Sequence, residues 1–199
     1  MGTPPRASTS LVDRVLDGTQ RCTEKWGFAK VTIDDIATES GVSRATIYRL
    51  FPGGRDVLFE ALRVREIEDF FAVLRDHVEG AESLEELLVR TIVAATRELR
   101  ADEHLAGMLA SAPGEALGQL TVEGMPRIIR FSTAFLVPLA EPFLDRARSR
   151  ALIDVLARLV ISYFLAPSDH VDLGEPASAR AFLVPLLAPY IESARATQP

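Results

Sequence analysis

The chain has 199 residues, 48% of them hydrophobic, and a formal net charge of -6, which supplies a substantial core for one domain or two small ones. A single cysteine excludes an intrachain disulfide, and the longest apolar helix candidate, residues 151–166, is interrupted by Asp154 and Arg158, so a membrane span is not expected. The acidic balance does not exclude nucleic acid: residues 1–60 hold eight Lys/Arg against eight Asp/Glu, the acidic excess lies in the remainder, and affinity for phosphate follows the local patch.

Residues 1–10 are rich in Pro, Ser and Thr and read as a flexible arm, with no charged start and apolar stretch to mark a signal peptide, so a cytoplasmic location is expected. Residues 11–54 read as a three-helix domain. In helix one, Cys22 falls in the apolar series Val15, Cys22, Trp26 and reads as a small core side chain without a resolving partner for redox work. Thr32 is a good N-cap for helix two, with Asp35 placed to complete a capping box. Ser43 is a good N-cap for helix three. Between them, Ala37 keeps the helix crossing close, Gly41 takes the left-handed conformation that ends helix two, and Ile36, Val42, Ile47 and Leu50 form the apolar seam. This spacing predicts a helix-turn-helix, whose second helix enters a DNA major groove.

The exposed chemistry of that helix agrees. From Gly41 to Arg55 there are three arginines and no acid. Arginine matches the paired acceptors of guanine, so Arg44 and Arg49 are the candidates for base readout. Ser43, Thr46, Tyr48 and Thr32 are candidates for backbone phosphates, and Ala45 lies among them at the start of the recognition helix. Pro52 cannot continue helix three, and the following glycines allow the backbone near a phosphate before helix four opens at Arg55.

These motifs resemble the tetracycline-repressor (TetR) family of bacterial regulators, most strongly over residues 10–62. The likeness is carried by Trp26-Gly27-Phe28, the run from Val31 to Ala37, the run from Gly41 to Tyr48, and Phe51-Pro52-Gly53-Gly54-Arg55-Asp56. The resemblance implies DNA contacts at Thr46, Tyr48 and Arg55. Leu50, where the family often has an aromatic or histidine, and the Gly53-Gly54 pair depart from the family pattern.

Residues 55–199 read as a helical effector-binding and dimerisation domain, giving an all-α protein of about nine helices. Helix four runs from Arg55 to Val78. Helix five runs from Ser83 to Arg100, with Ser83 and Glu86 as a capping box, and helix six from Glu103 to Ser111. Residues 112–124, with Pro113 and three glycines, are expected to be broken. Helix seven covers 125–147, bent or divided at Pro138 and Pro142, helix eight 148–165, and helix nine 177–196. The last two helices are unusually apolar, with Leu152, Val155, Leu156, Leu159 and Tyr163 on one and Phe182, Leu186 and Tyr190 on the other. The family resemblance implies that they pair with their copies in a homodimeric four-helix bundle. Phe70, Phe71, Leu74, Ile92, His104, Met108, Leu109, Ile128, Phe131 and Phe135 are expected around a chamber for a hydrophobic small-molecule effector.

The expected function is therefore a ligand-responsive regulator, a homodimer bound to a double-stranded operator and released by effector. A co-repressor of opposite sign, and a helix-turn-helix used for protein contacts, are the alternatives. An enzyme is not expected: His77, His104 and His170 lack metal-ligand spacing, no glycine-rich phosphate loop follows a strand, Cys22 has no evident base, and there is no serine nucleophile elbow. Neither a metal nor a cofactor is expected.

Overall fold

The computed structural model describes residues 10–111, 113–121 and 124–197, without the side chains of residues 104, 108, 111, 115, 116, 119 and 193–197. The expected arm, 1–10, lies outside the described residues except for Ser10. The chain is all-α, with ten helices and no strand among the described residues. It divides into two compact units, residues 1–68 and 69–199.

The first unit holds α1 (Leu11–Trp26), α2 (Ile33–Ser40), α3 (Arg44–Leu50) and the start of α4 (Arg55–Val78). Each of the first three helices starts on a side-chain cap. Ser10 and Asp13 form a complete capping box on α1, Thr32 and Asp35 form another on α2, and the Ser43 hydroxyl accepts from the Thr46 N–H on α3. The caps satisfy amides that the helices cannot satisfy internally. Val15, Cys22, Ile36, Val42, Ile47, Leu58 and Leu62 make one buried cluster, with Ala37 and Leu50 packed at its edge. Trp26 departs from its expected place in this core: it is exposed, with Lys25 Nζ 4.7 Å from its ring centroid.

Gly18 sets the approach of α1 to α2. A Cβ there would stand 2.8 Å from Ser40 Cβ and 3.0 Å from the Ser40 backbone, so only glycine fits this crossing. Beside it, Arg14 donates to the carbonyls of Ser40 and Gly41 at 3.0 and 3.2 Å, satisfying the C-terminal end of α2. Arg65 of α4 holds α1 through Asp17 at 2.7 Å and Gln20 at 3.1 Å.

The second unit holds the rest of α4, then α5 (Leu84–Ala101), α6 (Glu103–Ser111), α7 (Pro113–Leu120), α8 (Met125–Ala140), α9 (Arg146–Leu165) and α10 (Pro176–Thr197). Helix α5 is its centre: every residue from Leu87 to Thr96 except Arg90 is buried, as expected of a helix packed on several sides. Leu152, Leu156 and Val160 of α9 and Leu183, Leu187 and Ile191 of α10 join its cluster. The segment before α10 is tied down by Arg97 donating to the Gly174 carbonyl at 2.7 Å and by Arg100 paired with Asp172 at 2.7 Å.

Three local expectations change. Residues 113–120 form a helix where a break was expected, because Pro113 occupies a first-turn position that has no use for an N–H. Helix α9 begins two residues early, since Asp145 caps it by accepting from the Arg148 N–H, and Pro142 falls in the preceding turn while Pro138 is accommodated inside α8. At α5, Ser83 caps as expected, but Glu86 accepts from the Glu82 N–H and not from that of Ser83.

Candidate nucleic-acid interface

The junction between α2 and α3 is fixed by backbone geometry. Gly41 has φ 64 and ψ 28, the left-handed conformation that ends α2. Ser40 Oγ donates to the Ile36 carbonyl at 2.6 Å and accepts from the Val42 N–H at 3.3 Å, which carries the chain around the corner. Ile47 is fully buried beneath α3, so the opposite side of that short helix faces solvent. That side carries Arg44, Ala45, Tyr48 and Arg49, with Ser43 at its start and Thr46 half-buried.

The polar groups here are already arranged. Ser43 donates to Thr46 Oγ1 at 3.0 Å, leaving the Thr46 hydroxyl proton available to an outside acceptor. Arg44 Nη1 stands 2.9 Å from Asp34 Oδ1 of α2, with both side chains well exposed. Arg49 is exposed and has no ion pair among the described residues. Tyr48 is 46% exposed and rests on the turn after α3, where a Cβ on Gly54 would meet its ring at 3.0 Å. Gly53 and Gly54 have φ of 114 and 70. The observed role of this glycine pair is thus to bring the turn against Tyr48 and hold the ring in place.

Two expected contact residues point elsewhere. Arg55 is turned inward: it donates to the Phe28 carbonyl, its guanidinium lies 4.8 Å from the Phe59 ring centroid, and its Nε is buried without a partner. A guanidinium stacked and hydrogen-bonded in this way is not presented to a phosphate. The Thr32 hydroxyl is spent within its own capping box, donating to Asp35 Oδ2 at 2.6 Å. These hydrogen bonds from Thr32 hold the Asp35 carboxyl below the usual carboxylate range, so Thr32 sits beside a fixed negative charge that repels phosphate.

Asp34, Arg14 and Gly18 were missed in sequence. Only Gly18 left a signal, a glycine in a helix interior where it costs stability without a packing reason. Cys22 is buried, and burial, followed by Glu39 and Asp35, raises its thiol pKa.

In the second unit, Phe71, Leu74 and Ile92 are core residues, Phe70 packs partly buried beside them, and the Phe71 and Phe135 rings stack with centroids 5.2 Å apart. Leu109, Ile128 and Phe131 are half-buried. The side chains of His104 and Met108 lie outside the described residues. Of the apolar residues expected on a dimer face, Val155 and Leu186 are 54% and 55% exposed. Leu159, Tyr163, Phe182 and Tyr190 are partly buried against the hydrophobic core of the unit. Leu152 and Leu156 are buried in the core of their own unit. Among the described residues no group of three or more His, Cys, Asp or Glu side chains could hold a metal ion, and no helix is long and apolar enough to cross a membrane.

A family model for bacterial regulatory proteins of the tetR family matches residues 15–62. An uncharacterized HTH-type transcriptional regulator of Mycobacterium bovis is 32% identical over 121 residues, which are 56% of this chain and 61% of the relative. A relative of the same description in Mycobacterium tuberculosis is 33% identical over a span of the same length. The chain thus spans about three fifths of the length of these curated relatives. Among solved structures, the TetR family repressor AlkX from Dietzia sp. strain DQ12-45-1b, implicated in biodegradation of n-alkanes, superposes with a TM-score of 0.67 at 25% identity over 94% of this chain and 98% of that one. The fatty acid degradation regulator FadR from Bacillus halodurans shares the fold, with a TM-score of 0.51 at 19% identity over 94% and 97% of the two chains.

Proposed function

Because the chain belongs to the tetR family of bacterial regulatory proteins, we propose that it is a sequence-specific DNA-binding transcriptional regulator, a repressor released from its operator by a hydrophobic small molecule. The observation that carries this reading is the solvent-facing side of α3, where Arg44, Tyr48 and Arg49 project from a helix fixed by the Ser43 cap and the Gly41 turn. Arg44 and Arg49 read base edges, and Ser43, Thr46 and Tyr48 hold phosphates and set register, with Ala45 close to the groove floor. Residues 11–54, with the start of α4 completing their core, serve DNA, and the rest of the chain to residue 199 serves effector binding and dimerisation.

One such helix makes too few contacts for useful specificity. Two copies joined through α9 and α10, with Val155 and Leu186 at the centre of the contact, would present two recognition helices about 34–36 Å apart, one turn of duplex. The apolar residues near the Phe71–Phe135 stack are the proposed effector chamber, and the likeness to AlkX supports a hydrophobic effector. Helix α4 is the covalent link between the units, and a ligand that moves it changes the helix spacing. By linkage the effector then binds less tightly to the DNA-bound protein, by the same factor that it weakens DNA binding.

The test is selection of genomic fragments by the purified chain at stated low salt, followed by titration of hydrophobic compounds against the recovered operator. Enrichment of a two-fold symmetric site and its release by ligand are expected. Binding that requires ligand would identify a co-repressor, and no preference among fragments, with or without added metabolites, overturns the reading.

A further inference from the structure

Helices α8 and α9 line an open groove of about 650 Å³, a volume within the range of small-molecule sites. Its apolar lining comes from Ile129, Ala134, Val137, Pro138 and Ala151. The stacked Phe135 and its neighbour Phe131 do not line it, so the groove is distinct from the proposed effector chamber.

The polar lining is one-sided. Arg130, Arg146 and Arg150 line it with a single carboxylate, Asp154, and Thr133 adds a hydroxyl. That carboxylate is already engaged by Arg158, at 3.1 and 3.3 Å. Arg146 pairs with Glu141 at 3.4 Å, whereas Arg130 and Arg150 have no ion-pair partner among the described residues. This cationic rim stands in the part of the chain where acids outnumber bases. Arg146 and Arg150 also come from the first two turns of α9, where the helix dipole disfavours cations. They therefore lie against the local field and gain from a bound anion. A groove with an apolar lining and two uncommitted guanidinium groups is complementary to a molecule with an anionic head and an apolar body.

We propose that the α8–α9 groove binds a small amphipathic anion, its head held by Arg130 and Arg150 and its body against Val137, Pro138 and Ala151. A carboxylate and a phosphate monoester share the planar or near-planar oxygen pair that a guanidinium grips, and the probes separate them. A second copy of the chain is the less favourable occupant, since pairing this face with itself would bring two sets of arginines toward one two-fold axis.

The experiment is calorimetric titration of the full chain with decanoate, with decyl phosphate and with neutral decanol, each below its aggregation concentration. It is repeated on Arg130→Gln, Arg150→Gln and the double variant, with sedimentation to follow oligomeric state. Both arginines are exposed, so the variants are expected to fold. Decanoate or decyl phosphate should bind saturably and weaken about tenfold or more in the double variant, while decanol binding is unchanged. The stronger of the two anions identifies the head group. Anion binding with the same dissociation constant in wild type and double variant overturns the proposal, as does failure of both anions to bind. A double variant that changes the oligomeric state assigns the groove to a contact between copies and likewise overturns it. Because no DNA is present, these outcomes are independent of the regulatory reading.

Discussion

Arg44 does not reach solvent unaccompanied: Asp34 holds it at 2.9 Å across the α2–α3 junction. An exposed pair of this kind contributes at most about 1 kcal/mol to stability. If Arg44 reads bases as proposed, the larger effect of the pair is on recognition, because the acid would aim the guanidinium and repel phosphate that is out of register. Asp34→Asn is expected to raise affinity for unrelated duplex and to narrow the ratio of specific to non-specific binding by up to about fivefold, as measured by competition at fixed salt. An unchanged ratio would remove Asp34 from any role in readout. Arg44→Ala combined with Arg49→Ala should cost about 1–3 kcal/mol per lost base contact. The dimer should stay intact, and unchanged DNA affinity would favour a protein-contact module. Gly18 is tightly constrained by backbone as well as side chain, since a Cβ there meets the Ser40 Cβ at 2.8 Å and its backbone at 3.0 Å. Gly18→Val forces the side chain onto Ser40 and is expected to lower stability by about 1–3 kcal/mol, read as a fall in urea midpoint. A midpoint equal to wild type would mean that α1 and α2 can part without cost.

At the scale of elements, the helices of the first unit are held by side-chain caps at their starts as well as by their buried faces. The capping acids make this pH-dependent. Hydrogen bonds from Ser10 and Thr32 hold the carboxyls of Asp13 and Asp35 below their ordinary range. In the second unit, the Gly174 N–H and Arg100 do the same for Asp172, and the N–H groups of Ala177 and Ser178 for Glu175. A carboxyl depressed on folding adds stability above its unfolded pKa and loses it as pH falls through the folded one. Stability should therefore decline on acidification, starting near the ordinary carboxylate range of about pH 4 and continuing below it. Asp35→Asn should flatten part of that decline in thermal scans. A variant whose acid limb superimposes on that of wild type would exclude the α2 cap as a contributor.

For the whole molecule, the proposed function makes Val155 and Leu186, both exposed apolar side chains, the residues through which one copy of α3 would gain a twin. Removing such apolar area from water favours association by roughly 25 cal/mol per Å² before the costs of docking, and a buried unpaired carboxylate opposes it strongly. Val155→Glu with Leu186→Glu is expected to give a folded monomer in sedimentation, with operator affinity reduced to the level of non-specific binding. A double variant that remains dimeric would place the two-fold contact elsewhere. The unit boundary at residues 68 and 69 falls inside α4.

The helix-turn-helix was legible in the sequence because its determinants are local. Thr32 and Asp35, Gly41, and Ser43 act within one or two turns of the chain, and the spacing of Ile36, Val42 and Ile47 states which faces meet. The all-α class and most helix bounds followed for the same reason, and the helix at 113–120 was missed because its glycines and proline outweighed a pattern only eight residues long. Only the tertiary structure decided how each side chain is used. The inward turn of Arg55 depends on Phe28 and Phe59, the partner of Arg44 lies ten residues away, and the groove of Arg130 and Arg150 exists only where α9 folds back on α8. Caps and turns act between neighbours in sequence, whereas ion pairs and grooves join residues that are adjacent only after the chain has packed.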